Sequence, residues 1–164
     1  MIGNRRMKKR FIYPASIMIS FLAGKLIAEY NFGKRTVLLE ERANRNAAVI
    51  SAFSSWMKNK QSGKSITTFL EKNHFYNIAI YGMHHLGEVL LKELQEKNIT
   101  VSYAIDKNAD TMKTSIKMFR PDEELDEVDA IIVTPIFYFD EIERQLSRKV
   151  KCAIISLKDV IENM

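Results

Sequence analysis

Residues 76–106, YNIAIYGMHHLGEVLLKELQEKNITVSYAID, restrict the fold of this chain more than any other stretch. Asn77 to Tyr81 is apolar, rich in branched side chains and ends at Gly82, the pattern of a buried parallel strand. Beyond that turn Leu86, Val89, Leu90, Leu91 and Leu94 recur at three- and four-residue spacing, while Glu88, Lys92, Glu93, Gln95 and Glu96 fill the opposite face. That spacing predicts an amphipathic helix. Asn98 is the expected helix stop, and Val101 to Ile105 predicts a second strand ending at Asp106. A strand, helix and strand of these lengths connect by a right-handed crossover, which makes the two strands parallel.

The turn between the first strand and the helix carries the chemistry. In the pattern G-x-G-x-x-G the first glycine makes the turn, the second lets a pyrophosphate approach the backbone, and the third lets helix and strand pack closely. Gly82 and Gly87 occupy the first and third places and His84 the second, with Met83, His85 and Leu86 between them. Asp106, followed by Lys107, stands where an acidic residue takes ribose hydroxyls. The amino end of the helix offers unpaired N–H groups and a partial positive charge to phosphate. The imidazole of His84 either blocks the closest pyrophosphate approach or donates a hydrogen bond to phosphate.

The remaining C-terminal sequence extends the same sheet. Ile116 to Phe119 reads as a short third strand, Pro121 to Glu127 as an acidic turn or short helix, and Asp129 to Thr134 as a central strand closed by Pro135. Phe139, Ile142, Leu146 and Val150 predict one face of a helix, and Cys152 to Ser156 a last strand. Together these predict an α/β fold, a Rossmann-like doubly wound parallel sheet of about five strands in the order 3-2-1-4-5, preceded by an N-terminal helical extension. Ligands in such sheets sit beyond the carboxyl ends of the strands at the switch point, here between the first and fourth strands. That puts Gly82–Gly87 opposite Thr134 and Pro135.

The segments Ile78–Gly82, Leu86-Gly87, Tyr103–Asp106 and Val128–Thr134 resemble the nucleotide-binding domains attached to bacterial surface-polysaccharide proteins, among them the nucleoside-diphosphate-sugar epimerase and dehydratase families and the sugar acyltransferases. The resemblance covers roughly the last ninety residues. It implies NAD(P) or a nucleotide-sugar as ligand, with Gly82, Gly87 and Asp106 in contact with it. His84, where those families carry a small residue, departs from the pattern. No part of the chain matches the catalytic or acyltransferase domains that accompany this unit.

Other motifs fail on context. Tyr103-x-x-x-Lys107 has the spacing of a dehydrogenase pair but straddles a strand end instead of one helical turn. Asp106 to Asp110 opens like a calcium loop, yet Thr111 and Lys117 stand where glycine and glutamate belong. Gly63-Lys64-Ser65 resembles the end of a P-loop, but Lys58 replaces the earlier glycine and a helical pattern precedes it, so Ser65 is expected to cap the next helix. His74, His84 and His85 lack the spacing of a metal site, and Cys152 is the sole cysteine, expected as a buried, inert thiol.

Charge is divided along the chain. Residues 1–35 hold eight Lys/Arg against one acid, whereas from His74 onward eleven bases face sixteen acids, a balance that repels nucleic acid. Three regions follow: a basic and hydrophobic segment 1–35, a helical region 36–73, and the nucleotide-binding domain 74–164. Arg5, Arg6, Lys8, Lys9 and Arg10 precede Phe11 to Ala28, an apolar stretch interrupted by Pro14 and Lys25 and short of the ~20 residues a spanning helix needs. Residues 5–28 are therefore expected to pack or to touch a membrane peripherally ahead of spanning it, which stays open, in a cytoplasmic protein. Leu39, Ala43, Ile50, Phe53 and Met57, with Asn46 in the same seam, predict either a homo-oligomer or partner-protein contact through residues 36–60, or a helix packing on its own domain, with Trp56 near its end as the residue expected to dock it on the sheet. Two functions are open: a nucleotide or nucleotide-sugar binding accessory or regulatory module of surface-polysaccharide biosynthesis, and a non-catalytic scaffold that joins a partner or membrane through its N-terminal helices. No general base, nucleophile or substrate domain accompanies the turn, so independent catalysis ranks third.

Overall fold

The computed structural model describes residues 5–164 apart from Glu96, with side chains from Met18 onward. The side chains of the basic cluster Arg5–Arg10 and of residues 11–17 lie outside the described residues. Two compact units divide the chain, the first ending at Asn44 and the second comprising Arg45–Met164. The sheet-bearing unit thus begins well before His74.

Helix α1 (Arg5–Gln61) contributes to both units. In the second unit it is followed by α2 (Ile66–Lys72), β1 (Asn77–Tyr81), α3 (His85–Leu94), β2 (Thr100–Ile105), β3 (Lys117–Phe119), β4 (Ala130–Val133), α4 (Phe139–Leu146), β5 (Ala153–Ser156) and α5 (Leu157–Asn163). All four strand pairs are parallel, in the order β3-β2-β1-β4-β5. The α/β, Rossmann-like architecture expected from the apolar runs is the one observed. A one-residue irregularity in β2 places Val101 and Tyr103 opposite the consecutive residues Ile78 and Ala79.

Alternation along the central strands sorts side chains onto the two faces. Ile78, Ile80, Ala104, Ala130 and Ile132 meet α1, α2, α3 and α5 on one face. Ala79, Tyr81, Tyr103, Ile105, Ile131 and Val133 meet α4 on the other. Every residue of β4 is buried, which explains its uninterrupted apolar sequence. Burying side chains such as Ile131 and Ile132 stabilises the fold by roughly 1.5–3 kcal/mol each. The Asp129 carboxylate accepts from the amides of Tyr76 and Asn77 and so fixes the start of β1 beside β4.

The C-terminal turns of α1 dock on the sheet through Ala52 and Trp56, with Val49 and Phe53 packed at their edge. Trp56 Nε1 donates to Glu93 Oε2 over 3.0 Å, Lys60 pairs with the same carboxylate, and Asn59 Nδ2 donates to the Ile161 carbonyl. The seam expected to do the packing is not the one used: Ile50 and Met57 are exposed and only Phe53 of that set is half-buried. In the first unit every described side chain from Met18 to Asn44 is exposed. Among the described residues no helix is long and apolar enough to cross a membrane.

Several boundaries differ from expectation. α3 ends at Leu94, short of Asn98; α4 stops at Leu146, leaving Val150 beyond the turn that follows; and α5 has no counterpart in the sequence pattern, whereas the acidic stretch after Pro121 opens with the turn expected there. Ser65 does cap α2, accepting from the Thr67 amide.

Candidate functional site

The turn after β1 is built by two glycines with different duties. Gly82 has φ +89°, and its amide donates to the Ile105 carbonyl at 2.7 Å. A Cβ there would sit 2.7 Å from the Pro135 ring and 2.8 Å from Thr134 Oγ1, so both conformation and space exclude a side chain. The Thr134 hydroxyl donates to the Gly82 carbonyl at 2.6 Å, which ties the end of β4 to the turn. Gly87, in the first turn of α3, is needed for proximity: a Cβ on it would lie 2.1 Å from the Gly82 carbonyl oxygen. These are the roles the first and third places of the motif predict.

His84 precedes α3 with extended backbone, φ −73° and ψ −168°, and its side chain makes no capping bond. The first amide to bond into the helix is that of Glu88, which donates to the His84 carbonyl. The amides of His85, Leu86 and Gly87 therefore have no intrahelical acceptor, and the partial positive charge of the helix end lies beside them. The exposed imidazoles of His84 and His85 meet edge to face.

This helix end opens into a cleft of about 470 Å³ at the carboxyl ends of β1 and β4. Gly82, Asp106, Thr134 and Pro135 form its floor, and His84, His85 and Leu86 one wall. Arg45, Asn46, Ala48 and Val49 of α1 form the facing wall, and Ile136–Tyr138 the rim. There Arg45 Nη1 donates to the Tyr138 hydroxyl at 2.5 Å, with the guanidinium 5.7 Å from the centre of the Tyr138 ring. A second cleft, of about 430 Å³, shares Gly82, Asp106, Pro135 and Tyr138 and adds Tyr81, Lys107 and Glu141. Burial, with the Asp106 and Glu141 carboxylates nearby, pushes the Tyr81 phenol above its ordinary pKa. A larger cleft, about 780 Å³, lies between Asp122–Val128 and Lys149–Cys152. It sits by the amino ends of β4 and β5, away from the switch point, and has neither a glycine turn nor a helix amino end.

Seven of the ten sequence-derived candidates line the 470 Å³ cleft: Gly82, His84, His85, Leu86, Asp106, Thr134 and Pro135. Three do not. Met83 is buried in the core, Gly87 is buried behind the turn, and Lys107 faces the neighbouring cleft. Asp106 is already engaged: Oδ2 accepts from the Met83 amide and Oδ1 from the Asn108 amide, each at 2.9 Å, and only 7% of the residue is exposed. A ribose hydroxyl would have to use the lone pairs these bonds leave free. Arg45 and Tyr138, which close the rim, were not foreseen; ninety-three residues separate them. The available signal was Arg45 standing three and four residues before Ala48 and Val49, on the face of α1 that turns inward.

No protein-family model, curated protein or solved structure matches the chain. The motifs set aside on context have structural roles. The Tyr103 hydroxyl donates to the Asp126 carbonyl at 2.7 Å, and burial, with Cys152 and Asp126 adding, pushes that phenol up to about 12. Cys152 is half-buried and its thiol is pushed up, first by burial. Among the described residues no three His, Cys, Asp or Glu converge as metal ligands.

Proposed function

We propose that the cleft at the amino end of α3 binds a phosphate-bearing, nucleotide-type ligand, NAD(P) or a nucleotide-sugar, and that the protein is a cytoplasmic accessory or regulatory module without catalysis of its own. The observation that carries this reading is the conjunction at one place of the Gly82–Gly87 turn, three amides of α3 without helical acceptors, and a cleft walled by Arg45, His84 and His85. Fixed N–H groups and cationic or hydrogen-bonding side chains around one concavity suit an anion. The cleft's size is within the 300–1,000 Å³ usual for small-molecule sites. A link to surface-polysaccharide biosynthesis rests on the sequence resemblance of the four segments around this turn.

Phosphate would lie against the amides of His85 and Leu86, and Arg45 would swing from Tyr138 to pair with it. Asp106 holds the turn through the Met83 amide and offers its remaining lone pairs to a ribose. A thermal-shift panel of NAD, NADP, UDP-sugars and coenzyme A tests the reading, because a ligand of the folded state raises the melting temperature once it exceeds its dissociation constant. One of these should produce a shift that Arg45→Ala diminishes. His84→Gly should enlarge a dinucleotide shift by opening the backbone to the pyrophosphate. A flat panel at millimolar ligand would remove the proposal.

A further inference from the structure

The first unit presents a different problem, independent of the cleft. From Met18 to Leu39 its helix exposes eleven large apolar side chains, and Phe21 and Phe32 are each 74% exposed. At 3.6 residues per turn Met18, Ile19, Phe21, Leu22, Leu26 and Ile27 spread over roughly two thirds of the helix circumference, and the small residues Ser20, Gly24 and Ala28 occupy the rest. Lys25 and Glu29, an i,i+4 pair at 3.8 Å, make only a narrow polar stripe between Leu22 and Phe32. Apolar surface of this extent in water marks an interaction site, and an apolar arc this wide, broken only by a narrow polar stripe, suits an extended apolar surrounding better than a single partner helix. A second copy would cover one seam and leave the other sides wet.

Charge argues the same way. Residues 1–35 hold eight bases against one acid, five of the bases in Arg5–Arg10 just ahead of the apolar stretch. Two copies of such a segment repel each other, whereas anionic lipid headgroups attract both. Lys25, Glu29, Lys34 and Arg35 recur too often for the described stretch to cross a bilayer.

We infer that residues 5–39 anchor the protein to an anionic lipid bilayer, the exposed apolar turns inserting and the basic residues of segment 5–10 attracted to the headgroups. Flotation of the full chain with phosphatidylcholine vesicles, with and without phosphatidylglycerol, tests this. The chain should float with the anionic vesicles. Replacing Arg5, Arg6, Lys8, Lys9 and Arg10 with Gln should weaken that partition at least about a hundredfold at low ionic strength. A triple variant, Phe21→Gln, Leu22→Gln and Leu26→Gln, should remain in the dense fraction while its sheet unit melts as before. A full chain that stays in the dense fraction overturns the inference. So does a soluble oligomer that the triple variant dissociates, since a second copy would then be the occupant.

Discussion

Replacing Gly87 with Ala sets two effects of opposite sign against each other. Helix propensity alone favours alanine by about 1 kcal/mol at a position inside α3. The added Cβ, however, would stand 2.1 Å from the Gly82 carbonyl oxygen, and real Cβ contacts essentially never fall under 3.0 Å, so one backbone must retreat by about 0.9 Å. Neither can do so freely. The Gly82 carbonyl is held by Thr134 Oγ1 and its amide by Ile105, while α3 is anchored by the buried Leu86, Leu90 and Leu94. Overpacking that moves backbone costs typically 1–3 kcal/mol, and the rigidity of both partners puts this case at about 3. The net expectation is a loss of about 2 kcal/mol, or roughly 8 °C in melting temperature for a unit of this size. Urea unfolding followed by fluorescence of Trp56, the sole tryptophan and buried in this unit, reads the change. A Gly87→Ala variant as stable as the parent, or more so, refutes the close-packing account of the turn.

Asp106→Asn keeps the shape but leaves one carbonyl oxygen for two amides, Met83 and Asn108, and should destabilise by about 1–3 kcal/mol in the same assay. Trp56→Phe forfeits the bond to Glu93, about 1 kcal/mol, whereas Trp56→Ala should cost about 3–5 kcal/mol and loosen the end of α1, seen as increased amide exchange over residues 45–61. The raised Tyr103 phenol predicts alkaline sensitivity. Because the folded state keeps it neutral while the unfolded chain ionises near pH 10, its contribution is full below pH 10 and is lost as pH rises towards about 12. Tyr103→Phe should flatten that limb of a stability–pH curve.

The sheet was legible because its signals are local. Apolar runs such as Asp129–Thr134, turn glycines and one amphipathic helix specify strand, crossover and strand without knowledge of distant contacts. The glycine turn was legible for the same reason. What escaped depends on contacts between remote residues. Trp56 docks α1 on the sheet as expected, but the seam Leu39–Met57 selects for bulk, whereas the face beside Trp56 is set by Ala48 and Ala52, small residues that admit close approach. The Arg45–Tyr138 rim spans ninety-three residues and leaves no periodic trace. The bonds that engage Asp106 were equally hidden, since an acid at the end of a second strand reads the same whether it serves a ribose or its own turn.

The central claim is that the amino end of α3 is the ligand's seat, and amide chemical shifts of the full chain, titrated with NAD, NADP or a UDP-sugar, address it residue by residue. Saturable shifts should concentrate at His85 and Leu86, with smaller ones at Thr134 and Arg45. Saturable shifts confined to the acidic Asp122–Val128 cleft, or a spectrum unmoved by any of the three, would contradict it.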